Sequence, residues 1–187
     1  MHWYLVGGGP SLKGFDWSLL YNKQVIAINR AFEVCPKAQI IYFSDLRFWN
    51  WYSSKLLKHP AKKITGSRLE HSEVIHYKIT GSRGLDLMQN CLRSGNSSGY
   101  AAINLAVHLG ATRITLLGYD MAMGMQQETH WHNGYNIAFS PRCFGKMLGF
   151  FDYLKMPLER LSIEIVNANP ASKIEVFPKI SLYDAFK

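Results

Sequence analysis

The segment Gly7-Gly8-Gly9-Pro10-Ser11-Leu12 carries the strongest local signal for chemistry, and it follows an apolar run at residues 3–6. Glycines let a backbone turn sharply and approach a ligand closely. Proline suits the first turn of a helix, where its missing N–H costs little. A helix start offers spare N–H groups and the positive end of its dipole to a phosphate. The Ser11 hydroxyl would add a donor. The competing reading is a tight strand-to-helix turn with Ser11 as a cap. The loop is not a nicotinamide fingerprint, because G-x-G-x-x-G needs glycine where Leu12 stands. It is not a P-loop either, because no Gly-Lys-Ser/Thr follows.

Three further clusters carry polar chemistry. Ser94-Gly95-Asn96-Ser97-Ser98-Gly99 opens a helical pattern and is a second place for an anion or a sugar. Gly118-Tyr119-Asp120 follows a β-rich run, and Asp120 suits a hydroxyl, a metal or a loop cap. His130 and His132 flank Trp131, and an imidazole titrates near neutrality, so either histidine is a candidate general base. A metal there is not expected: His-x-His lacks further ligands in sequence reach, and Cys143 is the nearest thiol. Trp49, Trp51 and Tyr52 near Asp45 suit stacking on a base or sugar. Their spacing fits a core-facing helix stripe better.

These residues need elements to hold them. Strand patterns cover residues 3–6, 24–28, 39–43, 112–117, 162–166 and 173–177, with one or two short strands within 64–79. Helical patterns cover 11–21, 48–58, 100–109 (ended by Gly110) and 146–161. This alternation predicts an α/β fold, a Rossmann-like three-layer sandwich with a mainly parallel sheet. Ligands of such sheets bind beyond the carboxyl ends of the strands. Gly7, Asn29, Asp45, Asp120 and Asn167 all stand at such ends. Residues 121–142 have little periodicity and read as a flap over that edge.

The chain has 187 residues, 48% of them hydrophobic, enough for one domain spanning 1–187 and its core. No apolar run reaches the roughly 20 residues of a membrane span, and the first residues lack the basic, then apolar pattern of a secretory signal. Three scattered cysteines, Cys35, Cys91 and Cys143, fit a reducing cytoplasm better than a disulfide framework. The net charge is +8, and residues 55–93 hold eight bases against three acids. That face suits an anionic partner or is merely solvated. Without a nucleic-acid-binding motif, nucleic acid is not the expected partner. Exposed-looking aromatics are compatible with an oligomer.

Read in order, a strand entering G-x-G-P-S-L, Asn29 after the second strand, Ser97-Ser98-Gly99 opening a helix and a strand running into Gly118-Tyr119-Asp120 form a combined pattern. It resembles the bacterial sialyltransferases of the small α/β type. It also resembles the group around them, the motility-accessory-factor glycosyltransferases and the archaeal-type 6-hydroxymethylpterin diphosphokinases. The compact form looks like stand-alone members from bacteria or their phages. The resemblance implies that Gly7, Gly8, Gly9 and Ser11 contact the nucleotide. It implies that Asn29 lies against the CMP part of a donor, with Asp45 after the third strand and Ser97 or Ser98 beside it. His132 or His130 would be the base, and Tyr135 would meet the donor phosphate. Asp45 stands where those enzymes have asparagine, and Gly8 where they usually have asparagine.

The leading expectation is a nucleotide-sugar-dependent glycosyltransferase with a CMP-type donor, working by direct displacement without a metal. The alternatives are a diphosphokinase with Mg²⁺ at Asp45 and Asp120, and a non-catalytic nucleotide- or nucleic-acid-binding module that uses the basic face.

Overall fold

The computed structural model describes residues 1–132 and 142–187. Its nine described strands are β1 (His2–Val6), β2 (Gln24–Ile28), β3 (Ile40–Phe43), β4 (Lys62–Thr65), β5 (Val74–His76), β6 (Lys78–Gly81), β7 (Cys91–Arg93), β8 (Arg113–Leu117) and β9 (Glu164–Asn167). Its described α-helices are α1 (Leu46–Lys58), α2 (Ser98–His108), α3 (Arg142–Phe151) and α4 (Lys155–Arg160). Seven strands form one parallel sheet in the order β5-β4-β3-β2-β1-β8-β9. β6 and β7 make a separate parallel pair.

The central strands read as continuous apolar runs because both faces are covered. Side chains alternate between the two cores. Trp3, Leu5, Ile26, Ile28, Ile114 and Leu116 face one side, where Ala101 and Leu105 of α2 and Phe151, Leu154 and Leu158 complete the layer. Tyr4, Val6, Val25, Ala27, Ile41 and Phe43 face the other, against Phe48 and Leu56 of α1. The result is the expected three-layer α/β sandwich.

Three expectations are corrected. Residues 11–21 are not one helix but two 3₁₀ turns, Pro10–Leu12 and Trp17–Leu20. Gly14, at φ +77°, interrupts them, and Asp16 caps the second by accepting from the Ser18 N–H. Residues 146–161 divide into α3, a 3₁₀ turn at Asp152–Leu154 and α4. Residues 173–177 form no strand. Ile174 and Phe177 are buried in the core, and the described ladder contact of the tail, an isolated bridge from Asn167 to Lys179, lies just beyond them.

Candidate functional site

The chain order reverses at β1, which lies between β2 and β8. A crevice opens at such a switch point, beyond the carboxyl ends of the strands. Here it is a cleft of about 750 Å³. Gly7, Gly8, Gly9, Asn29, Asp45, Ser97, Ser98, Asp120 and His130 all line it. Asn96, from the second polar loop, lines it too, while sequence reasoning missed Arg47 and, from α3, Phe144 and Met147, and saw Thr129 and Cys143 only as neighbours of the histidines. The α3 residues carried no motif, and only the fold brings that helix to the cleft.

The glycine loop is fastened to β8. Gly7 N–H donates to Leu117 O at 2.8 Å and Gly9 N–H to Gly118 O at 2.9 Å. Ser11 lies outside the cleft lining, held by Asp120 through its N–H and its hydroxyl. Burial raises the Asp120 carboxyl above its ordinary range, against the bonds from Ser11 that pull it down. The glycines are required by close approach. A Cβ at Gly7 would lie 2.8 Å from Gly118 O, and one at Gly9 would run into the Asp120 carboxylate.

Asn29 leaves β2 at φ +51° and starts the 3₁₀ turn Asn29–Glu33. Asp45 caps α1 by accepting from Arg47 N–H at 2.8 Å. The Arg47 guanidinium forks onto the same carboxylate, Nη2 to Oδ2 at 2.6 Å, and holds it below the usual carboxylate range. Asp45 therefore enters the cleft mouth as half of an ion pair. Ser97 caps α2 by accepting the Gly99 N–H at 3.2 Å, so the first turn of α2 opens on the cleft. Of the aromatic set, Trp49 and Tyr52 pack on the α1-side core, while Trp51 is 37% exposed and lines the cleft.

The His-Trp-His segment straps the glycine loop. Trp131 donates its backbone N–H to Gly8 O at 3.0 Å and its Nε1–H to Gly7 O at 3.1 Å. Its indole lies 5.1 Å from that of Trp17. His130 then covers Gly8, where a Cβ would sit 2.7 Å from the ring. Burial, with the Arg30 charge, pushes the His130 imidazole down to about 4. Its Nδ1 lies 2.8 Å from Thr129 Oγ1. His132 is not among the cleft-lining residues; its Nδ1 meets Arg30 at 3.2 Å. The two expected bases are thus separated into a cleft residue and a residue behind it. Tyr135 lies outside the described residues.

The carboxylates a magnesium ion would need are committed elsewhere, Asp45 to Arg47 and Asp120 to Ser11. Among the described residues no group of three or more His, Cys, Asp and Glu is placed to hold a metal. No described helix is long and apolar enough to cross a membrane. The basic stretch is partly consumed internally: Lys63 is buried with Nζ donating to His59 O, and Lys55 pairs with Glu33.

No protein-family model, curated protein or solved structure matches the chain. The likeness to the sialyltransferase group therefore rests on the motifs alone.

Proposed function

We propose that the chain is a nucleotide-dependent transferase of the glycosyltransferase kind, taking a nucleotide-sugar in the switch-point cleft. The observation that carries this reading is the convergence of Gly8, Asn29, Ser97, Ser98 and His130 on one cleft of about 750 Å³, a volume suited to such a donor. The α2 start supplies spare N–H groups for phosphate. Trp51 and the α3 residues Phe144 and Met147 offer apolar surface for a base or sugar ring. The Asn29 amide supplies both a donor and an acceptor.

In this reading His130 is the base and His132 supports it. The acceptor hydroxyl oxygen attacks the anomeric carbon of the donor. The bond from that carbon to the phosphate oxygen breaks, the nucleotide leaves as an anion, and His130 takes the hydroxyl proton. The reading requires the tautomer in which Nδ1–H donates to Thr129 Oγ1, which leaves Nε2 as the basic nitrogen. Burial first, then the Arg30 charge, lowers His130, and the negative charge of a donor phosphate beside it acts in the opposite direction.

A thermal-shift panel with CMP, CDP, UDP, GDP, ATP and NAD, each with and without Mg²⁺, tests the reading. A ligand that binds only the folded protein raises its melting temperature. Stabilisation by CMP or a nucleoside diphosphate in EDTA, lost in Ser97→Ala and Asn29→Ala, is the expected result. Stabilisation by ATP only with Mg²⁺ would favour the diphosphokinase, and no shift from any nucleotide would overturn both.

A further inference from the structure

Arg30 links a surface ion-pair chain to the cleft. On the protein side, its Nε donates to Glu33 Oε2 at 2.7 Å, and Glu33 Oε1 accepts from Lys55 at 2.9 Å. The guanidinium lies 5.7 Å from the Tyr52 ring. On the cleft side, its Nη1 is 3.2 Å from His132 Nδ1. The His132 ring stacks on His130, with centroids 4.9 Å apart and planes 18° from parallel.

A guanidinium carries five N–H groups and no acceptor. The Arg30–His132 bond therefore runs one way, from Nη1–H to an unprotonated Nδ1. His132 then holds its proton on Nε2. We infer that Arg30 is a positioning residue of the cleft: it fixes His132 as the Nε2–H tautomer and, through the stacked imidazoles, holds the His130 ring over Gly8. Trp131 ties the intervening backbone to Gly7 and Gly8 and packs edge-on to the His132 ring, Thr129 Oγ1 lies 2.8 Å from His130 Nδ1, and Arg30 adds the contact on His132 Nδ1. Serving Glu33 and His132 at once uses the planar fork of arginine, which the single ammonium of lysine cannot reproduce. The inference rests on the transferase reading only in treating His130 as the acting group.

The test is long-range ¹H–¹⁵N spectra of the histidines in the ligand-free full chain, followed through pH. Wild type, Arg30→Met and Arg30→Lys are compared, with backbone spectra to check the fold. In wild type His132 shows an unprotonated Nδ1 and a protonated Nε2. In Arg30→Met the His132 nitrogens average between tautomers, and His130 titrates at higher pH because a nearby positive charge is gone. In Arg30→Lys the charge remains and His130 keeps its low titration, but the His132 tautomer is no longer fixed. A protonated Nδ1 on wild-type His132 overturns the inference. So does an unchanged His132 tautomer in a folded Arg30→Met, or in Arg30→Lys where Arg30→Met does not fold. Binding of CMP to the wild type is measured separately. Its absence would overturn the transferase reading and leave the tautomer result standing.

Discussion

Asp120 grips Ser11 twice, its Oδ2 accepting the backbone N–H at 2.8 Å and its Oδ1 accepting the hydroxyl at 2.7 Å. The carboxylate takes up both the N–H and the hydroxyl that Ser11 could offer to a ligand. The chain thus supplies the anion for the Pro10–Leu12 turn itself, and under the proposed function a donor phosphate must be met by other groups. Ser11→Ala should cost about 1.5–3 kcal/mol, the value of a hydrogen bond to a charged group. It should leave nucleotide affinity unchanged. Urea denaturation and calorimetric titration measure the two effects, and a tenfold loss of affinity with full stability would contradict this assignment.

The glycines of the loop differ in what a methyl group would strike. At Gly9 the added carbon meets the Asp120 carboxylate and lies 2.6 Å from Gly118 O, which is backbone. At Gly8 its nearest neighbours are side-chain atoms of the His130 ring, not backbone. Gly9→Ala should therefore fail to give folded protein, or lose more than the roughly 1–3 kcal/mol typical of overpacking. Gly8→Ala should fold, displace His130 and lower turnover more than nucleotide binding. Melting curves and steady-state kinetics on the two variants decide it.

Acid should weaken the fold through two histidines. Burial, with Arg30, pushes His130 down to about 4, and burial, with Arg113, does the same for His2. In the unfolded chain both bind a proton near 6.5. Between those values the unfolded state holds more protons, so stability falls as pH drops from about 6.5 to about 4 and is flat just above. Denaturation midpoints at pH 4.5, 5.5 and 7 should follow that slope, and His130→Ala should flatten part of it.

Asn104, fully buried in α2, ties the segment that enters the cleft. Its Oδ1 accepts the N–H groups of Asp86 and Arg93, each at 2.9 Å, and its Nδ2 donates to Asp86 O at 2.9 Å. Asn104→Ala removes the acceptor of the Asp86 and Arg93 N–H groups, at about 1–3 kcal/mol for each left unsatisfied, while Asp86 O keeps His108 Nε2 at 2.9 Å. Hydrogen exchange should show residues 82–97 losing protection ahead of β1 and β8.

Much of this architecture was legible because short continuous apolar runs mark strands buried on both faces, as in β1, β2, β3 and β8. The helix α2 was equally plain from its apolar repeat and from Gly110, which takes φ +75° at its end. The tail at 173–177 misled because Ile174-Glu175-Val176 alternates like a strand, whereas Ile174 and Phe177 serve to bury irregular chain, with Lys173 N–H donating to Asp120 O. The glycine loop and the polar strand ends were readable as one edge of the sheet. The partners that spend those polar groups, Asp120 on Ser11 and Arg47 on Asp45, were not. The Asp120–Ser11 pairing spans more than a hundred residues of chain, and an Asp two residues before an Arg is, in sequence, no different from any helix cap. The difference between His130 and His132 likewise depends on the ring stack and Arg30, which spacing alone does not encode.

The central claim is that the cleft binds a nucleotide without a metal. Amide and histidine chemical shifts recorded while CMP and CDP are titrated into ¹⁵N-labelled protein in EDTA test it most directly. The account predicts saturable shifts at Gly8, Asn29, Ser97, Ser98 and His130, with His130 titrating at higher pH in the complex. Shifts confined to the basic face at 55–93, or none at all, would contradict it.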